Sequence, residues 1–476
     1  MDMETAVVDA QMTQQNSWAE LLSGRNLALL MAISAGIGLH AFNQFAIVAA
    51  LPIAVADIGG AAIYSWAFSI YFVGSVAGGV TAILLRERLG ARAALVVSCL
   101  FFTAGMLICA GAPSFPLVIL GRTLQGIADG LIVAVCYSLI PAGFRSDLLP
   151  KVFAVEAGVW AVASFAGPLF GGFATEHVSW RATFLLPAPL ILLLVTYTWL
   201  SVSSEKLSSS SRKTALPLAL CIVGALAFSA PAAFERLDMR LGSLAIGAVL
   251  LWFSLKVGVR AKAGLFPKDA FRPGTVVGNG FWMLFLMSYA QALTSVYLAL
   301  IAIGRWGYEP TFAGFLVVSM PLAWSTVAFI TGSLRSPKVR DACLRYGPVQ
   351  MAPGCVLLGY GLSTGNWMEM LAGQVLIGST FGMCWAGVNQ GAMEAAPEQE
   401  RKMTGALLPT VATFGAAAGA GASGTIAAAT GLVPALQRGD ISPSLFYIYG
   451  LAATISLAAI WLGRHVKDDG VPDAVL

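Results

Sequence analysis

Long apolar stretches separated by short polar connections fill this chain from residue 28 to residue 463. A helix rising 1.5 Å per residue needs about 20 mostly apolar residues to cross a hydrocarbon core of about 30 Å. Stretches of that length fall at 28–50, 63–85, 93–112, 115–140, 151–175 and 182–200, then at 215–233 and 242–259. Six more follow at 276–303, 311–332, 344–362, 367–392, 403–431 and 444–463. The pattern predicts an all-α polytopic membrane protein with 14 transmembrane helices, arranged six, two, six.

The connections carry the orientation. With the N-terminus inside, 22 lysines and arginines fall in inner loops and five, Arg181, Arg236, Arg240, Arg305 and Arg438, in outer ones. Positive residues concentrate on the cytoplasmic side of membrane proteins, so the asymmetry places both termini in the cytoplasm. The expected division is a cytoplasmic tail over 1–26, a six-helix bundle over 27–201, a cytoplasmic linker with two extra transmembrane helices over 202–275, a second six-helix bundle over 276–464 and a cytoplasmic tail over 465–476. The linker includes the flexible polar run Ser208 to Ser211.

Composition agrees: 58% of residues are hydrophobic and 11% charged, against about 25% charged in ordinary soluble domains. The net charge of +4 resides in short loops and not on one face, which excludes a nucleic-acid partner. The polar, acidic stretch 1–26 lacks the basic start of a cleavable signal peptide. Seven cysteines fall singly in or beside apolar runs, without metal-ligand spacing, and read as small core residues. No phosphate loop, metal cluster or nucleophile elbow appears in any loop, so the expectation is no enzyme, no cofactor and no metal, with no obligatory protein partner evident.

Charge inside a span needs a reason, because it costs at least about 2.5–3.5 kcal/mol at the bilayer centre. The fourth span contains Arg122 and Asp129, and the fifth Glu156. Asp129 follows Arg122 by two helical turns on the same face, about 10 Å deeper, too far for a direct pair.

Several stretches resemble one family. Asn43-Gln44-Phe45 through Leu51-Pro52 resembles the first-span signature of the major facilitator superfamily, and Ser65-Trp66 through Tyr71 the start of its second span. Gly121-Arg122-Thr123-Leu124-Gln125-Gly126 is similar to its fourth-span arginine motif, Gly167-Pro168-Leu169-Phe170-Gly171-Gly172 to its fifth-span antiporter motif, and Ser179-Trp180-Arg181 to the start of its sixth span. The loop Arg86-Glu87-Arg88-Leu89-Gly90-Ala91-Arg92 resembles the family's gating loop, with Ile83 where glycine and Glu87 where aspartate are expected. Within the family the chain looks like the fourteen-span drug:proton antiporter branch.

The resemblance implies the major facilitator fold and an exporter that exchanges amphipathic organic compounds, such as drugs, toxins or secondary metabolites, for protons in a bacterial plasma membrane. It implies partners limited to a small-molecule substrate, protons and the lipid bilayer. Gly167, Pro168, Gly171 and Gly172 become the hinge and seal, with tight helix packing as the plainer reading. Arg86, Glu87, Arg88 and Arg92 become a cytoplasmic gate, or else a positive-inside anchor. The branch generally carries an acid in the first span where this chain has Asn43, whereas Asp129 replaces a small residue. Proton coupling is therefore expected at Asp129, with Arg122 and Glu156. Asp129 bonding neighbouring helices, and Glu156 snorkelling, stay as alternatives.

Parallel repeats with the substrate between halves are a transporter architecture. The run Gly415 to Gly424 in the thirteenth span answers Gly167 to Gly172, and the basic stretch Arg335 to Arg345 answers Arg86 to Arg92. Expected cavity residues are His40, Asn43, Gln44 and Gln125, with Tyr289, Gln291, Tyr297, Trp385 and Asn389 from the second half. A uniporter or importer, or a transporter-like sensor, are the competing functions.

Overall fold

The computed structural model describes residues 18–145, 148–204, 215–229, 234, 236–260, 266–333, 337–438 and 440–463. The helices of the first part are α1 (Gly24–Ile58), α2 (Trp66–Leu89), α3 (Ala91–Ala110), α4 (Phe115–Gly143), α5 (Leu149–His177), α6 (Trp180–Thr183) and α7 (Ala188–Ser201). Next come α8 (Ala215–Ser229) and α9 (Leu237–Arg260). The last part contains α10 (Val276–Ser295), α11 (Leu298–Gly304), α12 (Pro310–Ser333), α13 (Pro337–Tyr346), α14 (Met351–Thr364), α15 (Trp367–Ala395), α16 (Glu398–Thr430), α17 (Leu432–Arg438) and α18 (Ser442–Gly463).

Among the described residues, 12 helical segments are long and apolar enough to cross a membrane. The other two sequence-predicted spans, 215–233 and 344–362, are occupied by the shorter helices α8 and α14. Residues 230–233 lie outside the described residues. In 344–362, Gly347 and Pro348 open a 3-10 turn over Gly347–Gln350 that separates α14 from the basic, amphipathic α13. Proline has no amide hydrogen to continue an α-helical ladder, so the apolar run breaks there. The sequence-predicted linker residues 205–214, the tails 1–17 and 464–476, and residues 334–336 of the second basic stretch fall outside the described residues.

Glycines at four-residue spacing set the helix pairs. Gly126 and Gly130 on α4 lie so close to α2 that an added Cβ would sit 2.2 Å from the Tyr71 carbonyl and 1.8 Å from that of Ser75. On α15, Gly378 and Gly382 meet the carbonyls of Met320 and Trp324 on α12 in the same way, at 2.1 and 2.6 Å. Gly167 and Gly171 of α5 approach the carbonyls of Phe42 and Ala46 on α1, and Gly415 and Gly419 of α16 those of Phe285 and Tyr289 on α10. Small residues let backbones approach where lipid tails supply no hydrophobic drive to associate. Each close pair in the first half thus has a counterpart at matching spacing in the second, a registered internal repeat.

The halves meet unevenly. At the end opposite the basic loop Arg86–Arg92, Glu176 accepts hydrogen bonds from the Thr311 hydroxyl (2.6 Å) and amide (3.3 Å) at the start of α12. Tyr64 and Tyr297 pack ring against ring there, 5.5 Å apart. Gly172 faces the Thr311 backbone and Gly314 faces that of Pro168, so the α5 glycine-proline stretch contacts α1 with one side and α12 with the other. At mid-depth Trp160 of α5 meets Trp324 of α12. Toward the basic-loop end, the buried cluster of Leu29, Leu95, Leu139, Leu148 and their neighbours contains first-half residues only. The contacts between the halves recorded here thus lie at the end opposite the basic loop and at mid-depth.

Candidate functional site

Where α1, α2, α4 and α5 pack together, polar side chains gather in an apolar interior. Arg122 is 1% exposed. Its Nε donates to the Ala67 carbonyl (3.2 Å), its Nη1 to Gln125 Oε1 (3.0 Å), and its guanidinium lies 3.9 Å from the Tyr71 ring centre. Charged hydrogen bonds contribute about 1.5–3 kcal/mol each and a desolvated cation–π contact about 2, enough to offset the burial of one arginine.

Asp129, two turns along α4, has a different set of neighbours. Its Oδ2 lies 2.7 Å from His40 Nδ1 of α1 and accepts from the Ser75 hydroxyl of α2 at 3.3 Å. The aspartate is 1% exposed and the histidine 16%, so the imidazole is the more accessible member of the pair. Asp129 Oδ1, Asn43 Nδ2 and Gln125 Nε2 are buried beside them, and the Tyr71 hydroxyl lies close enough to interact with both Asp129 and Asn43. Buried polar groups are costly unless they meet one another, so this gathering of acid, imidazole, hydroxyl and amide groups in an apolar interior is a candidate site.

Glu156 forms a second station, also buried, accepting from the Ser34 hydroxyl at 2.8 Å with its other oxygen unpartnered. One turn further along α5 stands Trp160. Its ring meets His40 edge-on (5.8 Å), Phe45 (6.3 Å) and Trp324 (6.4 Å). Trp324 continues to Phe381 (4.9 Å) and Trp385 (5.1 Å), forming an aromatic bank on the second half.

The remaining sequence-predicted residues are placed as follows. Asn43 and Gln125 are buried inside the first-half cluster, whereas Gln44 is partly exposed. Tyr297 is buried at the closed end, and Tyr289 packs on Phe285 at the α10–α16 contact. Gln291 donates to Ser295 (2.9 Å), and Asn389 donates to the Trp385 carbonyl (2.6 Å). In the basic loop Arg86 donates to Ser138 of α4, and Arg92 Nε to the Val202 carbonyl at the end of α7 (2.8 Å), both within the first half. Glu87 and Arg88 lie at the end of α2, Arg88 exposed.

Ser34, Ser75 and Trp160 belong to no motif in the sequence, and Tyr71 enters only as the last residue of the second-span stretch. Trp160 lies four residues after Glu156, a helical same-face spacing that was available as a signal. Asp57 was missed at the tip of the first span, where it accepts from Arg181 Nη1 (2.8 Å) and Trp180 Nε1 (3.0 Å). These bonds give the Ser179-Trp180-Arg181 stretch its structural role of tying α6 to α1.

With this geometry in place, a family model described as Major Facilitator Superfamily matches residues 33–345. The chain belongs to the Major Facilitator Superfamily. It is a membrane transporter of that superfamily and not an enzyme. Among its relatives, a probable multidrug-efflux transporter of Mycobacterium tuberculosis is 28% identical over 97% of this chain and 99% of its own length. The multidrug efflux pump SdrM of Staphylococcus aureus is 22% identical over 92% of this chain and 96% of its own length. Of solved structures, an auto-inhibited peptide transporter of the POT family superposes with a TM-score of 0.65 at 17% identity, covering 91% of this chain and 96% of that one. A D-xylose–proton symporter gives 0.64 at 16% identity, covering 92% and 97%. These two likenesses bear on the fold alone and extend over more than nine-tenths of the chain.

Proposed function

We propose that this superfamily member exports amphipathic organic compounds, drugs among them, in exchange for protons, and that Asp129 carries the proton. The observation that carries the reading is a buried carboxylate whose Oδ2 lies 2.7 Å from the imidazole of His40, a side chain that is itself partly exposed. A carboxylate so enclosed has its charge balanced only by its neighbours, so gaining or losing a proton changes what the site holds. Arg122 lies two helical turns away on α4, and its positive charge attracts the carboxylate. The efflux names of the two relatives support the substrate class and direction.

In this reading the fourteen sequence-predicted spans all cross the bilayer, α8 and α14 completing the twelve longer ones. The basic-loop end and both termini are cytoplasmic, so the space between the halves opens inward with its outer end shut by Glu176–Thr311 and Tyr64–Tyr297. Gly167, Pro168, Gly171 and Gly172 act as the hinge, since one short stretch touches both halves. The bundles 27–201 and 276–464 rock about the central site, with Arg86, Glu87, Arg88 and Arg92 at the inner rim and Glu156 as the inner proton station.

Inverted membrane vesicles test the direction. A fluorescent amphipathic dye should accumulate in the lumen only when the lumen is acidified, and a protonophore should release it. Equal dye levels with and without the gradient would instead establish a uniporter.

A further inference from the structure

The glycine contacts put the two halves in register, and the register shows what has diverged between them. Tyr71 and Ser75 of α2 correspond to Met320 and Trp324 of α12, and Gly126 and Gly130 of α4 to Gly378 and Gly382 of α15. One polar contact survives the comparison: Arg122 donates to the Ala67 carbonyl, and its counterpart Gln374 donates to the Leu316 carbonyl (3.4 Å). The acidic pair does not. At the place of Asp129, one residue before the second glycine, α15 has Phe381, and at the place of Ser75 α12 has Trp324. Where the first half brings a hydroxyl to a carboxylate, the second brings an indole to a phenyl ring at 4.9 Å, with Trp385 joining at 5.1 Å. Trp324 and Trp385 are half-buried, Trp324 meets Trp160 of the other half, and α12 contributes no charged side chain.

We propose that Trp324, Phe381 and Trp385 form the ring-binding site for a flat aromatic portion of the substrate, and that Trp160, in contact with both Trp324 and His40, transmits its occupancy to the His40–Asp129 pair. The rings offer a broad polarisable wall, and aromatic groups stack on such walls in offset or edge-on arrangements. A substrate ring seated on Trp324 displaces Trp160 from its 6.4 Å contact, and the 5.8 Å edge contact of Trp160 with His40 moves with it. His40 Nδ1 is the group of α1 that reaches Asp129, so its position sets how well that carboxylate is held. Asp129 is the charged group in contact with His40; the helices packed around the pair also bring Arg122 and Cys136 from α4, Tyr71 from α2, Glu156 from α5 and Tyr197 from α7, while α12 brings none. The ring site stands independently of proton coupling, whereas the transmission through Trp160 rests on the proton reading of Asp129.

The test uses the purified full chain in lipid nanodiscs, titrated with ethidium as a flat cationic probe and Nile red as a flat neutral one, at pH 6 and pH 8. Trp324→Leu and Trp385→Leu should each weaken binding of at least one probe about tenfold at both pH values. Unchanged affinity in both variants, with thermal unfolding midpoints like wild type, overturns the ring site, as does a wild-type chain that binds neither probe. Trp385→Leu serves if Trp324→Leu fails to fold. Wild type should bind more weakly at pH 6, by up to about tenfold per pH unit for one competing proton. Trp160→Leu and His40→Gln should flatten that pH dependence. A pH dependence kept in full by Trp160→Leu overturns the transmission. A pH dependence kept by Asp129→Asn as well places the fault in the proton reading, with the ring site still judged by affinity alone.

Discussion

Replacing Asp129 by asparagine should leave a transporter that binds and equilibrates its solute but no longer concentrates it. The substitution keeps the size of the side chain and its ability to meet His40 Nδ1 and the Ser75 hydroxyl, while removing the group that exchanges a proton. One elementary charge moving through 100 mV is worth about 2.3 kcal/mol, so for a neutral solute exchanged for one proton the wild-type gradient reaches about fiftyfold. In Asp129→Asn proteoliposomes the gradient should fall to about one, while exchange between labelled and unlabelled solute continues. A gradient retained near the wild-type value would remove Asp129 from the proton path and leave Glu156 as the buried acid to examine.

The second large effect is structural and lies one residue away. An alanine Cβ at Gly130 would fall 1.8 Å from the Ser75 carbonyl oxygen and 2.8 Å from the Gly79 amide nitrogen. Both obstacles are backbone, so no rotamer change relieves them and α2 and α4 must move apart. Overpacking of this kind costs about 1–3 kcal/mol, and a backbone obstacle belongs at the upper end. Gly130→Ala should lower the unfolding midpoint clearly, and Gly382→Ala, facing the Trp324 carbonyl at 2.6 Å, by less. Gly158 has nothing within 4 Å of an added Cβ. Gly158→Ala should therefore be neutral or stabilising, by up to about 1 kcal/mol from the helix entropy of glycine. Equal midpoints for Gly130→Ala and Gly158→Ala would contradict the close α2–α4 approach.

The helices were legible in the sequence because bilayer crossing demands length and apolarity together, and both can be read along a single chain. The eleventh span was less so: Gly347 and Pro348 lie within an apolar run that passes by composition, and only the backbone reveals the turn that shortens α14. The glycine stretch 167–172 was recognisable, but its two-sided use against α1 and α12 depends on neighbours more than a hundred residues away. The site divides in the same manner. Asp129 and Arg122 stood out as charges in apolar surroundings, whereas the bond between His40 and Asp129 joins residues 89 positions apart on helices whose rotation no periodicity specified. Tyr71, Ser75 and Trp160 are ordinary membrane-helix residues and acquire meaning only from the partners they touch.

The central claim is that solute binding and a proton at Asp129 are linked, and it is most directly tested by counting protons. Purified protein in weakly buffered detergent solution, mixed with a saturating transported dye in the presence of a pH indicator, should release protons, and Asp129→Asn should release none at equal dye occupancy. Release of the same number of protons from Asp129→Asn would contradict the account.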